Sequence, residues 1–311
     1  MSRIERYQES INKFIKSKDI FTEDVKNMLL KKDHLCGIIF ATLLNHNAKK
    51  TNFKVHGYYI ICAIDILHEL IEMLNLNENI EHNKFTELLF TVINLINMNL
   101  ENIKVQQKQE EMLNKILNFI NSYISNKLLE ITKKYEFVAQ KKVQKTDLIS
   151  INYLDKTILN KYKNLSKVDH NNLIEYVKNT YGNIGDIVFV IGWAIGGGDR
   201  KKELLKTLQT IGDRFGLLYK LCRDFEKIEE DINSSSKYNS KYCLNFVVNE
   251  GVQESFILFM EIKTQLLEEC LSLNIYTHTL KEVLDELEKN VDKCLQSSNI
   301  DLKSTYSSFS K

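Results

Sequence analysis

Apolar residues recur at intervals of three and four along almost the whole chain, which is the spacing of one face of an α-helix. The sequence contains no run that alternates apolar and polar residues between Gly or Asn-Gly turns, as the strands of a hairpin do. The last apolar stripe comprises Leu280, Val283, Leu284, Leu287, Val291 and Leu295. Earlier stripes cover residues 4–18, 36–46, 56–74, 84–101 and 108–134. The pattern predicts an all-α fold.

Glycines and polar clusters predict where some of these helices begin and end. Thr279-x-x-Glu282 matches a capping box at the start of the last helix, and Gly251 precedes the helix before it. Three consecutive glycines, residues 196–198, predict a tight turn. Residues 233–240 are rich in serine and asparagine, which predicts a loop.

The less regular segments do not divide the chain into separate units. Residues 137–171 are basic and weakly periodic, which indicates an insertion or a connection of short helices, and residues 298–311 form a tail. Neither segment has the composition of a long flexible linker, and we find no repeat of fixed period. We therefore expect a single domain over residues 1–311.

Composition and charge indicate where the protein works. The 311 residues carry a formal net charge of +1, which argues against a polyanion-binding surface over the whole molecule. The six cysteines include no C-x-x-C pair, as expected for reduced thiols in the cytoplasm. The longest apolar stretch, residues 187–198, is shorter than the ~20 residues that cross a bilayer. We expect a cytoplasmic protein without a membrane span.

Several other chemistries find little support in the sequence. The seven histidines form no H-x-x-x-H pair and no cluster with cysteine, so we do not expect a zinc site. The lysine-rich residues 141–168 predict a solvated surface, and we expect no nucleic-acid partner. Asp65 and Asp186 stand among apolar residues, where an acid is usually capped or paired for structural reasons.

The glycines are concentrated in one region, with eight of the eleven copies between Gly182 and Gly216. Gly212 and Gly216 are four residues apart, so they share one face of a helix. A glycine inside a helix is about 1 kcal/mol less favourable than alanine. Close helix packing or the close approach of a ligand therefore has to compensate, and the spacing leaves both explanations open.

This ordered set of glycines resembles the trans-isoprenyl diphosphate synthases, the polyprenyl synthetase family. The family pattern is K-T-G, an apolar helix ending L-G-A-x-x-G-G, a polar helix, and then I-G-L-A-F-Q-x-x-D-D-x-x-D. The matching residues are Gly182, Gly192, Gly196, Gly197, Gly212, Gly216, Leu217 and Tyr219. The resemblance is strongest over residues 176–250 and implies the isoprenoid-synthase fold, a helical bundle around a central cavity.

Two further segments extend the resemblance. In AIDILHELIEML, Asp65 and His68 match an acid and a histidine of the family, and in NSKYCLNFVV, Lys241 matches the family lysine. The resemblance implies that Asp65, His68 and Tyr219 lie at the cavity. It also implies dimerisation, either as a homodimer or with another prenyl-synthase-like subunit.

In that family, two aspartate-rich clusters on facing helices hold three magnesium ions, which neutralise the diphosphate leaving group of an allylic substrate. Such hard cations require several oxygen ligands, preferably charged. The positions of the first cluster are occupied here by Asn75, Leu76 and Asn79, and those of the second by Arg223, Asp224 and Lys227. The second set has a formal charge of +1, which opposes a divalent ion.

Few acids remain that could hold a metal. Asp224 and Asp231 share a face if one helix runs through both, and Asp65, Glu69 and Glu72 form the same-face series of the N-terminal half. Charged faces of helices are usually solvated. We expect no metal at either place. Candidate diphosphate-binding cations are Lys32, Lys178, Lys220, Arg223, Lys227 and Lys241.

Three hypotheses follow. The first is a catalytically degenerate polyprenyl-synthetase-like protein that acts as a non-catalytic or regulatory subunit, or binds an isoprenoid or diphosphate, with no cofactor. The second is an active magnesium-dependent prenyltransferase or terpene synthase that uses Asp224, Asp231 and the acids of the N-terminal series. The third is a helical interaction protein that keeps the fold for packing alone.

Overall fold

A computed structural model describes residues 1–48, 57–75, 82–106, 110–132, 156–237 and 242–297. Over these ranges the chain forms thirteen helices and no strand, which confirms the all-α prediction. The helices are α1 (Arg3–Ser17), α2 (Glu23–Leu29), α3 (Leu35–Ala48), α4 (Tyr58–Asn75), α5 (His82–Gln106), α6 (Glu110–Ile131), α7 (Lys156–Asn164), α8 (170–195), α9 (Lys202–Glu226), α10 (Ile228–Lys237), α11 (Phe246–Glu250), α12 (Val252–Ser272) and α13 (His278–Ser297). Helix α8 contains two π-helical turns, Lys178–Gly182 and Ile187–Ile191.

Helix α9 lies at the centre of the bundle, where it packs against α8, α12 and α13. Its buried side chains include Leu208, Ile211, Phe215 and Leu218, which recur at helical spacing. They belong to one continuous hydrophobic cluster that extends from α1 to α13. The central position of α9 fixes its C-terminal end, which forms part of the candidate site.

Glycines allow α8 and α9 to cross with their backbones in contact. A Cβ atom on Gly185 would overlap the carbonyl oxygen of Gly212, and one on Gly212 would lie 2.7 Å from the amide nitrogen of Asp186. A Cβ on Gly216 would lie 2.6 Å from the amide nitrogen of Gly182. Of the two explanations that the sequence left open, this crossing supports close helix packing.

Two predicted helix boundaries differ from the observed ones. The last helix begins one residue earlier than its predicted cap, because the Thr277 hydroxyl accepts the hydrogen bond from the amide of Leu280 (3.1 Å). Glu282 instead accepts from the amide of Arg3 (2.9 Å) at the start of α1. The predicted capping box is therefore wrong, because tertiary contact redirects Glu282 to another helix.

The segment predicted as a loop, residues 233–240, is helical as far as Lys237. Ile228 and Ile232 are buried one turn apart and hold α10 against the core. The side chain of Asn233 accepts a hydrogen bond from Lys161 (2.7 Å) of α7. These contacts override the weak helix propensity of the serines. Residues 238–241 lie outside the described part of the chain.

Helix α9 ends at Glu226 and a new helix begins at Ile228, because the backbone of Lys227 leaves helical geometry (φ −114°, ψ 18°). The assumption that one helix runs through Asp224 and Asp231 is therefore wrong. Residues 298–311 and residues 137–155 of the predicted insertion lie outside the described residues, and 156–164 form α7. Among the helices that the structure describes, none is both long and apolar enough to cross a membrane.

Candidate functional site

A pocket of about 210 Å³ lies where the C-terminal ends of α4 and α9 meet α10. It is lined by Glu69, Glu72 and Met73 of α4, Tyr181 of α8, Lys220, Arg223, Asp224 and Lys227 of α9, Glu230, Asp231, Ser234 and Ser235 of α10, and residues 242–244. An open cleft beside the pocket shares Glu69 and Arg223 with it and also includes Lys32. The pocket thus collects most of the charged residues that the sequence predicted for the site.

Both carboxylate oxygens of Asp224 are already bound by the protein. One is bound by the ammonium group of Lys220, one helical turn earlier on α9. The other accepts from the amide of Phe246 (2.7 Å), and Asp224 is only 1% exposed. Lys220 also donates to the carbonyl oxygen of Leu244 (2.8 Å). The acid that matched the metal cluster is therefore part of a buried ion pair.

The ion pair also determines the charge state of Lys220. Burial opposes its charged form, but the carboxylates of Asp224 and Asp231 outweigh that penalty, so the pKa of Lys220 lies above its ordinary value. The ring of Tyr181 lies 5.6 Å from the ammonium nitrogen and adds a cation–π contact. Lys220 is therefore protonated, and its charge is balanced by groups inside the protein.

A second ion pair connects the two helix ends across the pocket. Lys227, at the end of α9, lies 2.9 Å from a carboxylate oxygen of Glu72 on α4. The Tyr181 hydroxyl donates to the other oxygen of Glu72 (3.3 Å). Burial works against the charge on Glu72, yet Lys227, together with Lys220 and Arg223, outweighs burial and holds the pKa of that carboxyl below its usual value.

The remaining candidate cations also have acidic partners. Lys32 lies 2.9 Å from Glu69, so a second residue of the predicted α4 acid series is occupied. Arg223 pairs with Glu226 (2.6 Å), one turn further on α9. Lys178 lies outside the pocket on α8, where it pairs with Asp213 (3.6 Å) and is mostly exposed. Lys220 and Lys227 form the two ion pairs described above, and the sixth candidate, Lys241, lies outside the described residues.

Two acids of the pocket have no cation within ion-pair distance among the described residues. Asp231 accepts a hydrogen bond from the side-chain amide of Asn245 (2.8 Å), which is neutral. Glu230 is exposed on the same side of α10. Burial raises the pKa of Asp231, while the ammonium of Lys220 acts in the opposite sense. The two carboxylates give the pocket a surplus of negative charge.

The predicted cavity residues Asp65, His68 and Tyr219 are buried. Asp65 lies 2.6 Å from a ring nitrogen of His34, so it is a paired acid, as expected from the sequence. The ring of His68 lies 4.8 Å from that of Tyr219 and 5.8 Å from that of Tyr181. Burial lowers the pKa of His68 to about 3, so the imidazole is neutral at physiological pH.

The donor set does not fit magnesium. Across the described ranges no group of three His, Cys, Asp or Glu residues could hold a metal ion. The acids Asp65, Glu69 and Glu72 each have a different basic partner, which is His34, Lys32 and Lys227 respectively. Of the first-cluster positions, Asn75 is the last residue of α4, whereas Leu76 and Asn79 lie outside the described residues, as does Lys241.

Two parts of the pocket, and one residue that bonds two of its acids, were not predicted from the sequence. Tyr181 immediately precedes the matched Gly182, but no charged motif marks it. Ser234 and Ser235 lie in the segment that was predicted to be a loop. Asn245 bonds both the backbone oxygen of Asp224 (3.0 Å) and the side chain of Asp231. The sequence feature that could have identified Asn245 is its place as the N-cap of α11, where its side-chain oxygen accepts a hydrogen bond from the amide of Val248 (3.1 Å).

The bundle has the fold of the trans-isoprenyl diphosphate synthases, which confirms the fold that the glycine pattern implied. The structure of a geranyltransferase from Helicobacter pylori 26695 is 16% identical, with a TM-score of 0.54 over 94% of this chain and 99% of that chain. An FPP/GFPP synthase from Zymomonas mobilis is 10% identical, with a TM-score of 0.51 over 93% and 97%. No protein-family model and no curated protein matches the sequence. Similarity at these identities establishes the fold alone.

Proposed function

We propose that this protein is a catalytically silent relative of the isoprenyl diphosphate synthases that acts as a non-catalytic or regulatory subunit. The observation that carries the proposal is the pair of ion bridges at the ends of α4 and α9. Lys220 forms an ion pair with Asp224, and Lys227 forms one with Glu72. In the family that the sequence resembles, acids at this junction face magnesium ions, whereas here they face ammonium groups.

Metal binding would have to break these bridges. A divalent ion needs several oxygen ligands, and its approach to Asp224 would bring it near Lys220 and Lys227. Like charges about 4 Å apart in a partly buried site repel by roughly 4 kcal/mol per pair of unit charges. Separating Asp224 from its buried partner adds a further penalty of about 3 kcal/mol. The pocket therefore disfavours the ionisation chemistry of the family.

The same pairs disfavour direct capture of a diphosphate. Each described candidate cation already has a carboxylate partner, so an incoming anion would compete with a group that is held in place. The surplus acids Glu230 and Asp231 would repel it as well. Among the roles suggested by the sequence, a subunit role has more support than diphosphate binding.

Exposed apolar side chains support association with another subunit. Phe90 and Ile93 on α5 are 61% and 39% exposed, and Leu129 on α6 is 69% exposed. Phe90 and Ile93 are three residues apart and share one face of α5, and neighbouring apolar side chains that remain in water are typical of surfaces that a partner covers. We propose that the protein forms a dimer, with a second copy or with a prenyl-synthase-like chain.

A turnover assay tests the absence of catalysis. The purified chain is incubated with dimethylallyl or farnesyl diphosphate, isopentenyl diphosphate and Mg²⁺, beside an active prenyl synthase as positive control. We expect no product above the protein-free background, while circular dichroism shows a folded helical protein. Product at about 1 per second, within the ordinary range of enzymes, would contradict the proposal if Asp224→Asn abolished it.

A further inference from the structure

We propose that a second pocket, at the junction of α8, α11 and α12, binds a small primary alkylammonium ion through the hydroxyl of Ser255 and the carboxylate of Glu250. The second pocket has a volume of about 310 Å³, which lies at the lower end of the range of about 300–1,000 Å³ for small-molecule sites. It shares no lining residue with the pocket between α4, α9 and α10, so this inference does not depend on the proposed function.

Apolar side chains and carboxylates line the second pocket together. The apolar contacts come from Phe246 of α11 and from Ile257 and Leu258 of α12. Glu254 and Glu261 are exposed and stand seven residues apart, so they lie on one face of α12 with the two apolar residues between them. This arrangement offers an apolar surface with negative charge at its edges, which attracts a cation that carries an alkyl chain.

The hydroxyl group of Ser255 is the feature that points to a ligand. Ser255 lines the second pocket and is 1% exposed, and within the described residues its oxygen has no hydrogen-bond partner. The other two hydroxyl residues of α12 differ, because Thr264 donates to the carbonyl oxygen of Met260 (2.9 Å) and Ser272 donates to that of Glu269 (2.8 Å). A buried hydroxyl without a partner costs free energy, which a polar group bound in the pocket would recover.

Glu250, the last residue of α11, supplies a second unbonded acceptor. One of its carboxylate oxygens pairs with the ammonium of Lys167 (3.0 Å), whereas the other is buried without a hydrogen bond from any described residue. The Nδ1 atom of His170 lies 3.5 Å from that second oxygen, but the imidazole is half exposed and does not bond it. Glu250 and Ser255 lie on either side of the turn at Gly251 (φ 94°), which brings the end of α11 and the start of α12 to the same pocket.

These two acceptors favour a primary ammonium group over other ligands. An ammonium has three donors and no acceptor, so it can donate to Ser255 Oγ and Glu250 Oε1 and leave its third donor to water. An anion would be repelled, because the described lining contains three glutamates and neither lysine nor arginine. A divalent metal has too few ligands here, since no group of three His, Cys, Asp or Glu residues in the described ranges could hold one.

Calorimetric titration at constant ionic strength tests the proposal with butylammonium, butanol and butyrate, which share an alkyl chain and differ in the charge of the head group. We expect saturable binding of butylammonium and none of the other two. Ser255→Ala should weaken the binding about fivefold, because one hydrogen bond is lost. Glu250→Gln should weaken it by more than about tenfold, because a charged acceptor is lost. Ser272→Ala, the same substitution at an exposed position on α12, should leave the binding unchanged.

Absence of saturable butylammonium binding would overturn the proposal, as would binding that Ser255→Ala leaves unchanged. Binding of butanol or butyrate as tight as that of butylammonium would also overturn it, because the ammonium would then contribute nothing. Ser255→Ala removes a single oxygen atom, so it remains informative if Glu250→Gln, which also weakens the pair with Lys167, does not fold. The turnover assay concerns the other pocket, so either result can fail without the other.

Discussion

The crossing of α8 with α9 and the pocket at the end of α9 lie on the same helix, about 18 Å apart at 1.5 Å per residue between Gly212 and Asp224. At the crossing, backbone atoms touch and no side chain fits. In the pocket, charged side chains face one another, and the ammonium groups of Lys220 and Lys227 pair with carboxylates. Gly212 and Gly216 match glycines of the family that the sequence resembles, whereas Arg223 and Lys227 stand where the pattern of that family has aspartates.

The two places differ in how narrowly packing restricts the residues that can stand there. A backbone contact admits one residue type, because any Cβ atom would overlap the opposite helix. A polar cluster has many solutions, because burial requires only that charges and hydrogen bonds be matched. Aspartates that bind metal and ion pairs that replace it both satisfy this requirement. Only the first arrangement supports ionisation of a diphosphate.

The largest effect is expected at the crossing. Gly185→Ala should destabilise the protein by more than about 4 kcal/mol, because its Cβ would overlap the carbonyl oxygen of Gly212. Helix propensity alone predicts the opposite sign, since alanine is about 1 kcal/mol better than glycine. Urea unfolding followed by circular dichroism measures the change. Lys206→Ala, at an exposed position on α9, is the matched control and should change stability by less than about 0.5 kcal/mol.

A smaller effect is expected in the buried half of the pocket. Lys220→Met leaves Asp224 without its cation and should cost about 3 kcal/mol. The double variant Lys220→Met/Asp224→Leu removes both charges and should recover most of that loss. Chemical denaturation of the wild type, both single variants and the double variant gives the coupling free energy. If the losses of the single variants simply add, the two groups do not act as a pair.

The acid beside the crossing should make stability depend on pH. Asp186 is bonded by Lys127 through one oxygen, and its other oxygen is buried without a hydrogen-bond partner. Burial raises its pKa to about 7, although Lys127 partly offsets the effect. This value exceeds the unfolded value of about 3.9, so the folded state binds the proton more tightly. The contribution of Asp186 to the free energy of unfolding is therefore lost as pH rises from about 4 to about 7.

Asp186→Asn isolates that contribution. The free energy of unfolding of the wild type, relative to the variant, should fall by about 2 kcal/mol between pH 5 and pH 8. Urea midpoints at four pH values measure it. Asp19→Asn, at an exposed position, should show no such trend. A difference that rises with pH would mean that Asp186 is more acidic in the folded protein than in the unfolded chain.

The smallest effect is expected where the pocket is open to solvent. The side chains of Lys227 and Glu72 are 20% and 33% exposed. Lys227→Gln should therefore cost less than about 1 kcal/mol, in the range of exposed ion pairs. Thermal unfolding at low and high salt should show the wild-type advantage shrinking as salt rises. A loss as large as that of Lys220→Met would mean that the two pairs do not differ in burial as described.

Much of the fold could be predicted because helical spacing and glycine pattern report packing directly. The stripes predicted α1, α3 and α4 to within a few residues. The spacing of Gly212 and Gly216 predicted a close approach to one face of α9 but not whether a helix or a ligand makes it, and Gly185 was not among the matched positions. Boundaries that depend on distant contacts were mispredicted. The cap at Thr277 and the extension of α10 to Lys237 are decided by neighbouring helices, which local propensity does not report.

The site was predictable in its charges but not in its partners. Spacing along α9 placed Lys220 one turn before Asp224, yet nothing local shows that the two are buried together. The partner of Lys227 is 155 residues away in sequence, on α4. The break at Lys227 also changed which acids face the pocket. Pairings of this kind arise only when the helices pack, so they require the structure.

The most direct test of the central claim is a calorimetric titration of Mg²⁺ into the protein with inorganic diphosphate present. We expect no saturable heat beyond that of Mg²⁺ and diphosphate alone, because Asp224 and Glu72 remain bound to Lys220 and Lys227. Saturable binding of Mg²⁺ with diphosphate that Asp224→Asn abolishes would contradict it, and would show that the pocket opens to hold a metal.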